Sequence, residues 1–169
     1  MNDRELIFAP FYQTYINEGI DKNIIEALSS QLEELTQLLN SISEEKSLYR
    51  YEKDKWSVRE IVGHILDSER IFAYRALRIA RNDKKPLPGF DQDQYIVESN
   101  YNSIRLTFLK EEFILARKAN LIMFENFTGE MLSRTGTASG LEVNCRALLY
   151  ITYGHVQHHI NVLKEKYLK

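Results

Sequence analysis

Apolar side chains recur every three or four residues along four long stretches of the chain, and that spacing predicts four amphipathic helices. The first runs from near Asp21 to Ile42, with Ile24, Ile25, Leu28, Leu32, Leu35, Leu38, Leu39 and Ile42 on one stripe. The second opens at Ser57, where Ser57 and Glu60 form an S-x-x-E capping box and Trp56 with Ile61 can staple its start. Its apolar face continues through Ile65, Phe72, Ala76 and Ile79 until two prolines in KKPLPG (84–89) end it. The third spans about Ser103 to Asn126, with Ile104, Phe108, Leu115, Leu121, Ile122 and Phe124 as buried candidates. The fourth starts near Asn144, a residue suited to an N-cap, and runs to about Leu168.

Between these helices the pattern breaks. Ser43 to Lys55 is polar, Phe90 to Asn102 reads mainly as a long loop with room for a short helical turn, and Ser133 to Glu142 carries Gly136 and Gly140 in a turn-rich loop. Long loops inside compact domains are often functional. Four helices joined this way predict an all-α fold, a four-helix bundle with long crossover loops, as a single domain over residues 1–169.

Composition narrows the class. Apolar residues make up 44% of the chain and charged residues 27%, as in a folded soluble protein large enough to need no disulfides. Cys145 is the only cysteine, which suits a reducing cytoplasm, and a cytoplasmic location is expected. The net charge of −2 offers no basic stripe, so no nucleic-acid partner is expected. No apolar run reaches the ~18–20 residues of a membrane span, and the N-terminus lacks a signal-peptide pattern.

The histidines change the picture. His155, His158 and His159 fall in GHVQHH of the fourth helix. At about 100° per residue, His155 and His159 share the inward face with Leu148, Ile151 and Val162, while His158 sits at its edge. Two imidazoles four residues apart can reach one ion, although isolated H-x-x-x-H matches also arise by chance. His64, on the second helix beside its apolar face, supplies a third. Three histidines from two helices make a facial triad that leaves coordination positions open, the pattern of a catalytic rather than a structural site; the alternative is three unrelated core histidines. Arg75 and Ser68 lie within about 40° of His64 on the same wheel and are candidate substrate-binding residues, Arg75 for an anionic group and Ser68 as a polar lining. For Arg75 a surface salt bridge is the competing reading. Cys145 is expected to be a buried inert thiol, and Asp91 and Asp93 to cap a turn.

With these residues in view, the sequence resembles the DinB-like, or YfiT-like, family of metal-binding four-helix bundles. The resemblance covers essentially the whole chain and is sharpest in KWSVREIVGHILDSERIFAYRALRIARND, PLPGFDQDQYI and RALLYITYGHVQHHINVLKEKYL. It implies a divalent metal, with zinc or nickel the leading candidates, on one histidine of the second helix and two of the last: His64, His155 and His159. It further implies a metal-dependent thiol S-transferase acting on a low-molecular-weight thiol and an electrophilic small molecule. A metal-dependent hydrolase and a non-catalytic metal- or ligand-binding module are the alternatives, and a homodimer is expected. No residue stands out as a general base.

Overall fold

The computed structural model describes residues 5–168. Its long helices are α2 (Ile24–Asn40), α3 (Val58–Ala80), α5 (Leu106–Glu125) and α7 (Cys145–Val162), with the shorter α1 (Gln13–Asn17), α4 (Gln92–Glu98) and α6 (Gly129–Ser133) and a hairpin of β1 (Thr135–Ala138) and β2 (Leu141–Asn144). α3 packs on α5 and α7, and α2 packs on the same two, so each of the consecutive pairs α2–α3 and α5–α7 lies across a diagonal of the bundle. Crossover connections follow from that arrangement.

The starts of α3 and α7 are fixed by their caps. Ser57 accepts from the Glu60 backbone N–H while Glu60 accepts from Ser57 N at 2.7 Å, and Asn144 accepts from Ala147 N at 2.9 Å. α7 continues as a π-helical turn, Leu163–Tyr167, so the chain stays helical close to where its periodicity predicts.

The cap expected at Asp91 is present, and two further segments differ from expectation. Asp91 caps α4, accepting from the Asp93 and Gln94 backbone N–H groups, so part of the long loop is a helix. The turn-rich loop is an antiparallel hairpin, whose two-residue turn places Ser139 (φ 52°) and Gly140 (φ 79°) in the left-handed region that tight hairpin turns require. Leu87 bonds to its edge through Thr137 O and Ser139 N, which ties the segment after α3 to the hairpin. In α5, Phe108, Leu115 and Ile122 face solvent, while Leu109, Phe113, Arg117, Leu121 and Phe124 are buried.

The burial of Arg117 explains that rotation. It is fully enclosed, and its guanidinium holds both Glu69 oxygens at 2.8 Å. Nη1 also donates to Leu28 O and Gln31 Oε1, and Gln31 Nε2 donates onward to Tyr153 O and Gln157 Oε1 at 3.0 Å. One polar node therefore touches all four long helices. A charge buried this deeply is tolerated only when paired and hydrogen-bonded throughout.

The N-terminal segment lies on α7. Ile7 O accepts from Asn144 N, and Glu5 O accepts from Asn144 Nδ2. At Gly154, a Cβ would stand 2.0 Å from Tyr15 O, so only glycine allows the two backbones to approach this closely. That approach brings Tyr12 and Tyr15 beside the centre of α7. No helix among the described residues is long and apolar enough to cross a membrane.

Candidate metal centre

Two well-capped helices bring three histidines together: His64 from α3, and His155 and His159 from successive turns of α7. Their rings form a nearly equilateral triangle, with centroids 4.8 Å (His64–His155), 4.9 Å (His64–His159) and 4.7 Å (His155–His159) apart. One ligand nitrogen of each lies within 4.8 Å of the others, and His64 Nε2 is 2.8 Å from His155 Nε2. An ion ~2.0–2.1 Å from both nitrogens would hold them about 3.0–3.4 Å apart, a displacement of a few tenths of an ångström.

The surroundings keep these rings neutral. His64 and His155 are buried, and His159 is half-buried. Burial, reinforced by His158, pulls the His64 pKa down to about 4. Burial and the neighbouring imidazoles hold His155 and His159 well below the ordinary histidine range. Neutral imidazole is the form that donates a lone pair to a metal. His159 Nδ1 is sealed from solvent without a hydrogen-bond partner among the described residues. Three crowded neutral rings thus have few protein partners for their ring nitrogens, and a divalent cation, which accepts several lone pairs at once, fits that donor set.

His158 is exposed and outside the triangle, tilted against Tyr15 with centroids 5.8 Å apart, as its place on the helix edge predicts. Cys145 is buried, its Sγ 3.6 Å from Ala76 O, and burial pushes its thiol up to about 12. It is the inert thiol expected.

The triad lies between two clefts. One, about 320 Å³, is bordered by His158 and His159 together with Tyr51, Trp56, Asp54 and Asp93. The other, about 310 Å³, reaches His155 and is walled by aromatic side chains with Ser68. A larger hollow of about 750 Å³ beside Ser43, Leu48 and Tyr49 does not touch the triad. Arg75 is buried behind the aromatic cleft rather than in a surface salt bridge, bonded to Pro88 O and Ser139 Oγ.

Sequence reasoning missed the aromatic packing on the triad. Tyr15 and Phe72 meet His155 edge-on at 5.5 and 5.7 Å, and Trp56 lies on His64 at 4.9 Å. The density of rings in FYQTY was the available signal, but nothing in it named α7 as its partner.

Comparison with known proteins identifies the family. The DinB superfamily profile matches residues 27–163, which include all three histidines. The chain belongs to the DinB superfamily. Among solved DinB-like folds it is similar to Bacillus subtilis YfiT, described as a probable metal-dependent hydrolase with an unusual four-helix bundle topology. The two share 15% identity with a TM-score of 0.77, over 84% of this chain and 82% of YfiT. It is also similar to the DinB-like protein YjoA of Bacillus subtilis, at 24% identity and a TM-score of 0.61, over 85% and 87% of the two chains. An Oceanobacillus iheyensis relative named "Putative metal-dependent hydrolase OB0413" is 28% identical over 79 residues, which span 46% of this chain and 45% of that protein. The fold of this DinB-superfamily protein is the four-helix bundle topology of YfiT.

Proposed function

We propose that His64, His155 and His159 hold one divalent metal ion, zinc or nickel as the first candidates, and that the site transfers a low-molecular-weight thiol to an electrophilic small molecule. The observation that carries this reading is the position of the triad between two clefts, each bordered by a different histidine of α7. Two separate approaches to one centre suit a reaction that joins two organic molecules, whereas hydrolysis needs only one cleft and a path for water. The His159 side carries Asp54, Lys55 and Asp93, which suit a polar thiol, and the His155 side is aromatic, which suits an apolar electrophile.

When bound, the ion would supply the Lewis acidity that brings a thiol or a water toward ionisation near neutral pH. The chain's own work is positional. Trp56, Tyr15 and Phe72 pack on the imidazoles and fix their planes, and the buried flanks exclude bulk water from that side of the triad. Orienting both reactants beside one centre removes much of the entropic barrier to their meeting.

A hydrolase is the second reading, and the names borne by YfiT and the Oceanobacillus relative favour it. One experiment separates them. Protein loaded with zinc or nickel is given cysteine or another small thiol with a monohalobimane, and in parallel an activated ester and an activated amide. Thiol conjugation at least tenfold faster than in chelated protein, restored by added ion, supports transfer. Metal-dependent hydrolysis without conjugation replaces transfer with the hydrolase. Inactivity in both leaves a binding module.

A further inference from the structure

Among the described residues three arginines are deeply buried, and two have carboxylate partners. Arg59 pairs with Glu44 at 2.8 Å, and Arg117 pairs with Glu69 at 2.8 Å. Arg75 is 2% exposed, and no carboxylate among the described residues pairs with it. Its Nη2 donates to Pro88 O at 2.8 Å and Ser139 Oγ at 3.0 Å, and its guanidinium lies over the Phe90 ring at 5.8 Å. These partners are neutral. The neighbouring Tyr12 does not supply the missing charge, because burial raises its pKa and keeps the phenol protonated. A guanidinium carries a fixed positive charge, so a cation is held here without an anion among the described residues.

A second unmet group lies on the same side of α3. Ser68 is fully buried, its Oγ has no hydrogen-bond partner among the described residues, and the side chain borders the aromatic cleft. His64, Ser68 and Arg75 follow one another along α3. At 1.5 Å per residue, Ser68 is about 6 Å beyond His64 along the axis, and Arg75 about 10 Å beyond Ser68. The space beside Ser68 is walled by Phe11, Tyr12, Tyr15, Phe72 and Phe90 and ends at His155, and Arg75 stands directly behind two residues of its lining, Ser139 and Phe90. Its volume of about 310 Å³ is at the small end of the ~300–1,000 Å³ range for ligand pockets.

We propose that this cleft binds a small organic anion: a carboxylate-bearing molecule with a flat apolar body. Its charged end sits at the Ser139 and Tyr12 wall in front of the Arg75 guanidinium, its body lies between Phe72 and Phe90, a polar atom meets the Ser68 hydroxyl, and its other end reaches His155. The proposal rests on the preceding reading only in treating this ligand as a substrate; the binding itself requires neither metal nor turnover.

The test measures affinity, not activity. Metal-free and metal-loaded protein are titrated calorimetrically with 4-phenylbutanoate and with its neutral amide. The metal-free protein should bind the carboxylate at least tenfold more tightly than the amide. Arg75→Met should bring the two within about twofold. Because Arg75 is buried and that variant can fail to fold, Ser139→Asp gives an independent check. It places a carboxylate beside Nη2 at a position whose φ of 52° aspartate tolerates, and it should remove the preference with the guanidinium still in place. Equal affinity for acid and amide, no binding of either at millimolar concentration, or a preference that survives in a folded variant would overturn the proposal. A preference present only in metal-loaded protein would overturn it too, by placing the carboxylate on the ion. An inactive protein that still binds the anion would instead count against the catalytic reading alone.

Discussion

If His64, His155 and His159 hold an ion in the folded chain and not in the unfolded one, metal and stability are linked by mass action. With free metal at 100 times its dissociation constant, the native state gains about 2.7 kcal/mol. For a domain of this size each kcal/mol moves the melting temperature by about 2–4 °C, so saturating metal should raise it by about 5–11 °C. Thermal unfolding by circular dichroism, with and without zinc or nickel, measures this directly. Each of His64→Ala, His155→Ala and His159→Ala should lose most of the shift when compared with its own metal-free form. That reference matters because removing a desolvated imidazole also changes the stability of the metal-free protein. His158→Ala should keep the shift, since His158 is exposed and outside the ring triangle. A wild-type melt unmoved by any first-row divalent ion, or a His158→Ala variant that loses as much as His155→Ala, would refute the assignment.

The metal-free protein should lose stability in acid for a specific reason. The folded pKa values of all three histidines lie below the ordinary 6.5, so below pH 6.5 the unfolded chain binds more protons. The contribution is complete above 6.5 and falls as pH drops, through about pH 4 for His64, by up to about 1.4 kcal/mol per pH unit per histidine. Urea midpoints between pH 6.5 and 5 should therefore fall less steeply in His64→Gln, and an unchanged slope would contradict this. Removing one partner of the buried pair, as in Arg117→Met or Glu69→Leu, should cost about 3–5 kcal/mol, and the double variant much less than the sum. Urea unfolding would reject this if the single changes cost under ~1 kcal/mol. Finally, Phe108, Leu115 and Ile122 repeat every seven residues on the exposed side of α5. A two-fold axis at Leu115 would set Glu112 against the partner subunit's Lys118, so we expect a homodimer of about twice 19.9 kDa that Leu115→Asp splits. Light scattering showing a monomer at micromolar concentration would dispose of it.

How much the sequence reveals depends on whether one signal stands alone. The capping box at Ser57, the N-cap at Asn144 and the stripe holding His155 and His159 each have a single strong reading, and the structure has each where expected. α5 carries two competing apolar stripes. The buried one runs through Leu109, Phe113 and Leu121 but is broken by Arg117, whose charge makes the rival stripe of Phe108, Leu115 and Ile122 look like the inner face. The counter-charge that lets Arg117 point inward, Glu69, lies 48 residues away, and the other partners of Arg117, on α2, are more distant still. The hairpin is hidden differently: four-residue strands are too short to show alternation, and Ser139–Gly140 signals a turn without saying what flanks it. For the site, the triad was legible because four-residue spacing is local. The aromatic cleft was not, because it depends on Gly154 letting the N-terminal segment lie against α7.

The node around Arg117 also constrains how the chain can assemble. Its parts enter in the order Gln31, Glu69, Arg117 and finally Tyr153 and Gln157, so no partial bundle has all of them. Without α3 the node lacks the carboxylate that pairs with Arg117, and without α7 it lacks the partners of the Gln31 amide, so neither partial bundle can close the node off from water. Either defect makes the partial structure expensive relative to both end states. The bundle is therefore built to fold and unfold as one cooperative unit. Fragments split between any two of its long helices would have to recombine, rather than fold separately and dock.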